Sequence, residues 1–248
     1  MLSVIVPTYN EGENVGPLLE RIERALGDRP YDYEVVVVDD DSPDGTWRRA
    51  AEYADRYPVT AVRRLEEQGL ATAVVRGIEE ASSDRIAVMD ADLQHPPEAL
   101  PEFVDRLRDG ADVVVGSRKA PGGSYGDFGP GRRIVSAAAT LLARIAVPEL
   151  RAVDDVQSGF FAFRRDVVEG RPLSPSGYKI LIEILAVGSY AEVAEVGYAF
   201  DDRRAGESNL DAGVASAYLR HLADLRRRRT TSERPSPSTT EPSVGESV

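Results

Sequence analysis

Residues 85–97 read Arg85-Ile86-Ala87-Val88-Met89-Asp90-Ala91-Asp92-Leu93-Gln94-His95-Pro96-Pro97. The run Ile86 to Met89 is short and apolar, the pattern of a buried strand. From Glu98 to Arg108 apolar residues recur at helical spacing behind two prolines, which predicts a helix. Alternate side chains of an extended chain share a face, so Asp90, Asp92 and Gln94 can point the same way. Three oxygen-bearing side chains at the C-terminal end of a strand suit a hard divalent cation carrying a diphosphate. They also suit a polar turn with Asp92 near a helix N-cap. This stretch alone does not choose between the two.

The flanking sequence repeats the pattern. Leu2 to Val6 is an apolar strand ending in Pro7-Thr8-Tyr9-Asn10-Glu11, followed by helical spacing from Glu13 to Leu26. Glu34 precedes four consecutive valines, a strand buried on both faces as in parallel sheets. It runs into Asp39-Asp40-Asp41-Ser42-Pro43-Asp44-Gly45-Thr46 and a helix from about Trp47 to Tyr57. A third strand is predicted over Val59 to Arg63, with its helix over Leu70 to Ala81, and a fifth strand over Asp112 to Gly116. This alternation gives an α/β class: a Rossmann-like, mostly parallel central sheet with helices on both faces. Past residue 117 it breaks. A Gly-rich loop (122–131) leads to a helix carrying Arg132, Arg133 and Ser136. An extra strand is expected within Val153 to Arg164, a helix over Tyr178 to Val187, a last strand over Glu192 to Phe200 and a helix over Val214 to Leu225.

In open parallel sheets ligands bind beyond the carboxyl ends of the strands. Pro7 to Glu11, Asp39 to Asp41 and Asp90 to Asp92 all sit at such ends, which implies one shared crevice. No Gly-x-Gly-x-x-Gly follows the first strand, and no P-loop is present. What remains is a nucleotide held by side-chain acids and backbone, its diphosphate neutralised by a metal.

Composition narrows the chemistry. The chain has no cysteine, so disulfides and thiolate sites are excluded, and its two histidines, His95 and His221, make a multi-histidine metal site unlikely chemistry for it. A net charge of −12 argues against nucleic acid as a partner. Lysine occurs only at Lys119 and Lys179, and the acid-rich, lysine-poor balance is reminiscent of halophilic proteins. No segment reaches the roughly 18 to 20 apolar residues of a spanning helix; Ile134 to Val147 is short and carries Arg144. The N-terminus enters a strand without a basic and apolar leader, so a cytoplasmic location is expected.

Together these residues resemble the family 2 glycosyltransferases of the GT-A fold, and most closely their dolichol-phosphate mannosyltransferase branch, in an archaeal form without transmembrane helices. The resemblance rests on Val4 to Glu11, Val35 to Thr46, Val88 to Pro97, Gly116-Ser117-Arg118, Ser158-Gly159-Phe160, Gly177 to Leu185 and Gly206-Glu207-Ser208. Asp-Ser-Pro-Asp-Gly-Thr together with Asp-Ala-Asp-Leu-Gln-His-Pro-Pro is the specific part. It implies that Pro7, Tyr9, Glu11, Val38 and Asp40 hold the base and ribose of a nucleotide sugar. It implies that Asp90, Asp92 and Gln94 bind Mg²⁺ or Mn²⁺ and the diphosphate, with Ala91 beside the donor. Arg118, Arg132, Ser136 and Arg203 are implied as phosphate contacts of acceptor or donor, and Asp92 and Arg118 as the catalytic pair. The implied reaction is metal-dependent, inverting transfer of mannose from GDP-mannose to dolichyl phosphate at the cytoplasmic face of a membrane. His95 reads equally as loop packing or a phosphate contact, and Arg63 and Arg64 read as solvated surface charges.

The chain departs from the family at Asn209, where lysine is usual; Arg204 is the candidate substitute. The expected organisation is a catalytic domain over 1–212, a basic amphipathic helix over 213–229 able to lie on a membrane surface, and a disordered Ser/Thr/Pro/Glu tail over 230–248. A membrane-embedded partner protein is the other expected route to the lipid. A UDP-sugar donor, nucleotidyl transfer to a sugar phosphate and a non-catalytic sugar-nucleotide-binding subunit are the competing functions. Nucleotidyl transfer would want a basic, glycine-rich loop where Tyr9-Asn10-Glu11 stands.

Overall fold

The computed structural model describes residues 1–126, 130–175, 179–199 and 212–231, and their side chains except at 130–134, 212–217 and 229–231. The first half alternates strand and helix: β1 (Leu2–Thr8), α1 (Val15–Leu26), β2 (Tyr33–Asp39), α2 (Thr46–Glu52), β3 (Val59–Arg63), α3 (Leu70–Glu80) and β4 (Arg85–Val88). Then come α4 (Leu100–Arg108), β5 (Val113–Ser117), α5 (Pro130–Ala146), β6 (Phe161–Arg164), α6 (Ile180–Val187), β7 (Val193–Gly197) and α7 (Ala212–Thr231). The prolines before α4 open a 3-10 turn, Pro97–Ala99, rather than the α-helix itself. The extra strand expected within Val153 to Arg164 is confined to its last four residues.

Among the described residues the strands form one sheet in the order β3-β2-β1-β4-β6-β5-β7. All neighbours are parallel except β6, which runs antiparallel between β4 and β5. Both faces are covered, which is why the inner strands read as near-continuous apolar runs, the four valines of β2 most clearly. Val4, Val6, Val35, Val37 and Val114 pack under α1, α2 and α4, while Ile5, Val113 and Val115 pack under α3, α5, α6 and α7. The strand order reverses at β1 and β4, the switch point at which open α/β sheets bind ligands. Gly77 lets α3 lie against β1 there, since a Cβ at this position would fall 2.4 Å from Ile5 Cγ2.

α7 is fastened to this body rather than hanging from it. Tyr218, Leu222 and Leu225 are buried. On α6, the fully buried Glu183 accepts from Arg228 at 2.8 and 2.9 Å and meets His221 Nε2 at 2.8 Å. Arg228 of the basic run is therefore turned inward, while Arg226 and Arg227 are exposed. The expected tail beyond Thr231 lies outside the described residues.

Candidate active site

The loops after β1, β2 and β4 meet over the switch point. Each contains one non-glycine residue in the left-handed region: Asn10 (φ 59°), Asp41 (φ 54°) and Leu93 (φ 64°). Such strain persists only where the surroundings over-determine it, and the hydrogen bonds identify what does so. Ser42 Oγ accepts from the Asn10 amide at 2.9 Å, Thr46 Oγ1 from Glu11 at 3.0 Å and Asp44 from Gly12 at 3.0 Å. Three consecutive amides of the first loop are thus captured by the Ser, Asp and Thr of Asp41-Ser42-Pro43-Asp44-Gly45-Thr46. Asp39 anchors the bracket from below, fully buried, accepting from Thr8 Oγ1 at 2.9 Å and from the Ser42 amide at 2.9 Å. Thr46→Val would leave the Glu11 amide without this acceptor; it is expected to cost about 1–3 kcal/mol of stability. Denaturant unfolding checks this.

Between these loops lies a cavity of about 230 Å³ lined by Pro7, Thr8, Tyr9, Glu11, Asp40, Leu70, Ala73, Asp90, Ala91 and Asp92. The structure thus brings together Pro7, Tyr9, Glu11, Asp40, Asp90, Ala91 and Asp92. Val38 stands just behind the wall, buried with Ala73, so its side chain is packing rather than lining. Gln94 is not among the lining residues. The extended-chain spacing expected for Asp90, Asp92 and Gln94 fails because β4 ends at Val88 and Leu93 turns the chain left-handed. Asp92 Oδ1 instead accepts the Gln94 amide at 3.2 Å, which curls the loop.

Arg64 corrects the expectation of a solvated charge. It is 7% exposed, and its guanidinium is paired with Asp40, with Nε at 2.7 Å from Oδ1. The Gly69 amide donates to the other oxygen at 2.7 Å. Nothing local to Arg64 signals this, because the partner sits 24 residues earlier. Arg63 is half exposed, bridged to Asp41 and stacked over Trp47 at 4.6 Å.

His95 proves to be loop packing. It is 2% exposed, stacked on Phe160 at 5.2 Å, and its Nδ1 accepts the Asp90 amide at 3.0 Å. Burial, aided by the charges of Arg118 and Lys179 and opposed by Asp92 and Asp155, takes its pKa down to about 4. The ring is therefore a neutral strut that fixes the Asp90 backbone. Gly159 in Ser158-Gly159-Phe160 makes room for it, since a Cβ there would lie 3.0 Å from Asp90 Oδ2 and 3.2 Å from His95 Cε1.

Arg118 and Lys179 both lie within electrostatic reach of His95. Arg118, at the end of β5, is nearly buried and forks onto Asp155 at 2.7 Å through both Nε and Nη2, while stacking over Tyr125 at 5.1 Å. Lys179 is half-buried and donates to the Gln157 carbonyl at 2.7 Å. Burial and then the Arg118 charge lower its pKa to about 8, against the opposing pull of Asp90 and Asp155. The sequence reading gave Lys179 no role, although it is one of only two lysines and falls inside the Gly177 to Leu185 match. Ser136 is half-buried on α5. The side chain of Arg132, and Arg203, Arg204 and Asn209 entirely, lie outside the described residues.

Among the described residues no three carboxylate or imidazole groups gather closely enough to hold a metal by themselves. Asp90, 35% exposed at its side chain, and Asp92 nevertheless offer two hard oxygen donors on one cleft wall. Two carboxylates with substrate phosphates completing the shell is the usual Mg²⁺ arrangement, so the residues fit a cation that arrives with a diphosphate.

Known proteins agree with this geometry. The chain matches the model of Glycosyl transferase family 2 over residues 3–171. It is 49% identical over 224 residues to a dolichol-phosphate mannosyltransferase of Pyrococcus furiosus, covering 90% of this chain and 63% of that relative's length. It is 36% identical over 234 residues to the dolichol-phosphate mannosyltransferase of Saccharomyces cerevisiae, covering 90% of this chain and 86% of the relative. Among solved structures, glucosyl-3-phosphoglycerate synthase of Mycobacterium tuberculosis, in complex with Mn²⁺, UDP and glucosyl-3-phosphoglycerate, superposes with a TM-score of 0.68 at 25% identity. That match covers 92% of this chain and 79% of the other. With an acid-lined cleft at the switch point and these relatives on either side of it, the chain belongs to glycosyl transferase family 2.

Proposed function

We propose that the protein transfers mannose from GDP-mannose to dolichyl or a related polyprenyl phosphate, inverting the anomeric configuration. The observation that carries this reading is the meeting of three acid-bearing strand-end loops round one cavity. Acids at the ends of β1, β2 and β4 line the donor side, and Lys179, which feels the charges of both Asp90 and Arg118, supports an anionic acceptor entering beside them. The choice of mannose and dolichyl phosphate is supported by the names of the relatives.

In this reading Tyr9, Glu11 and Asp40 hold the nucleoside, with Pro7, Val38 and Ala91 shaping its seat. Asp90 and Asp92 would hold Mg²⁺ or Mn²⁺, while Gln94, expected from the resemblance as a third ligand, stands off the cavity wall and gives its backbone amide to Asp92. The cation, when bound, neutralises the charge that develops on the departing diphosphate. Arg118 and Lys179 hold the acceptor phosphate, joined by Ser136 and the expected Arg132 and Arg203; Asp155 orients the Arg118 fork. An acceptor oxygen attacks the anomeric carbon as the bond from that carbon to the GDP oxygen breaks. The acceptor phosphate is already an anion at neutral pH, so no general base is required, and the neutral, enclosed His95 offers none. Catalysis then consists of positioning and charge placement. The proposed place of work is the cytoplasmic face of a membrane, where the lipid phosphate is presented; among the described residues no helix is long and apolar enough to cross one.

Incubation with Mg²⁺, dolichyl phosphate and labelled GDP-mannose, UDP-glucose or UDP-N-acetylglucosamine in parallel tests the proposal. Label is expected in the lipid phase from GDP-mannose. Label from UDP-glucose alone would replace the donor, and binding without transfer from any donor would make the protein a non-catalytic subunit.

A further inference from the structure

The turn between β3 and α3 closes on a single ion pair. Of residues 63–70 only Arg64 is buried; the others are exposed. Its Nε and Nη2 pair with Asp40 Oδ1, Nη2 also donates to the Gly69 carbonyl at 3.0 Å, and Nη1 donates to Thr72 Oγ1 at 3.0 Å. The Gly69 amide then returns to Asp40 Oδ2 at 2.7 Å. Gly69 sits at φ 131°, open to glycine and strained for other residues. Its amide and its carbonyl can therefore both turn to the same pair.

That pair belongs to the wall of the donor cavity. Asp40 lines it, and so do Leu70 and Ala73, from the start of the helix that Gly69 caps. Four carboxylates, Glu11, Asp40, Asp90 and Asp92, surround a space proposed to hold a diphosphate, and Arg64 neutralises one of them. Asp40 is 6% exposed, and a carboxylate at that depth needs a bonded cation to remain charged. The donors on Asp40 also decide what it can still accept. An ionised carboxylate has about four acceptor sites; Nε and Nη2 occupy Oδ1, and the Gly69 amide takes one site of Oδ2. Room remains on Oδ2 for a single N–H donor. With its charge compensated by Arg64, Asp40 favours a neutral ring N–H over a second cation.

We infer that Arg64 is a positioning residue for the nucleoside of the donor. It acts through Asp40, whose charge it compensates and whose remaining acceptor site it aims, and it ties down the turn that delivers Leu70 to the cavity wall. This rests on the reading of the cavity as a nucleotide site. The side-chain hydrogen bonds of Arg64 end on Asp40, Glu67, Gly69 and Thr72. Asp90 and Asp92, which would take the metal and the diphosphate, belong to the separate loop after β4. The role is therefore confined to the nucleoside end.

Calorimetric titration of GDP and, in parallel, UDP into the full chain with Mg²⁺ tests this without turnover. Arg64→Met keeps much of the side chain's bulk and removes the fork. It is expected to weaken the tighter-binding nucleotide by about tenfold or more, the scale of one misaligned hydrogen bond to a charged group. Arg64→Lys keeps the charge but cannot serve Asp40, Gly69 and Thr72 together, so a smaller loss is expected; it also stands in should Arg64→Met fail to fold. Pyrophosphate with Mg²⁺, which has no nucleoside, should bind both variants as it binds the wild type. In an Asp40→Asn background Arg64→Met should weaken nucleotide little further, because two residues acting through one contact are not additive. Unchanged nucleotide affinity in the folded variants, an equal loss for pyrophosphate, or a full Arg64 effect beside Asp40→Asn would each overturn the inference. A wild type that binds neither nucleotide would sink the donor-site reading and the Arg64 role with it. A wild type that binds nucleotide yet transfers nothing would sink the transfer reading and leave the Arg64 role standing.

Discussion

Asp92→Asn is expected to lower sugar transfer by about a thousandfold, the scale of losing a charge aimed at the transition state. The fold should not notice. Asparagine keeps the shape and the Oδ1 that accepts the Gln94 amide, so the loop can retain its curl. What disappears is one of the two negative charges that would share a cation with the donor diphosphate. Initial rates with saturating acceptor, paired with a thermal melt, check the expectation. Near-normal transfer would remove Asp92 from the donor site, and a collapsed melt would make its role structural.

Glu183→Ala carries the largest expected effect on stability. Glu183 is fully buried and satisfied by His221, by both terminal nitrogens of Arg228 and by the Ser174 amide at 3.0 Å. Truncation strands these donors and releases α7 from α6; removing one partner of a buried ionic cluster costs about 3–5 kcal/mol. For a chain of this size that corresponds to a fall of about 10 °C in Tm. The pH dependence follows from the carboxylate. Burial by itself would raise its pKa, but the hydrogen bonds from His221, Arg228 and Ser174, with the Arg228 charge, bring it down to about 2 from an ordinary 4.5. A folded pKa below the unfolded one means the stabilisation is complete above about pH 4.5 and is lost as the pH falls towards 2. Urea unfolding of both proteins at neutral pH and at pH 3 should show the gap between them narrowing in acid. A gap that stays constant would place the stabilisation elsewhere.

The parts legible in the sequence were those encoded by repetition. Short apolar runs, three of which (β1, β2 and β4) lead into acid-bearing turns, imply the parallel sheet and put Pro7 to Glu11, Asp40 and Asp90 to Asp92 at one edge. The structure brings them round one cavity. The parts that were not legible depend on single long-range partners. Arg64 looks like any other arginine until Asp40 is seen to bury it. Leu93 carries no mark of a left-handed turn, and without that turn Gln94 was expected on the face of Asp90 and Asp92. Asp-Ser-Pro-Asp-Gly-Thr was visible as a signature but not as a device. Its serine, aspartate and threonine hold three backbone amides of the neighbouring loop, a function that requires both loops to be in place.

In the proposed function Asp90 and Asp92 form the wall that takes a metal-bound donor diphosphate. Calorimetric titration of GDP-mannose into the wild-type protein, once with Mg²⁺ and once with EDTA, tests it most directly. Binding is expected to tighten by at least about tenfold with Mg²⁺, since the cation offsets the repulsion between a diphosphate and two carboxylates. Equal affinity with Mg²⁺ and with EDTA would contradict the account.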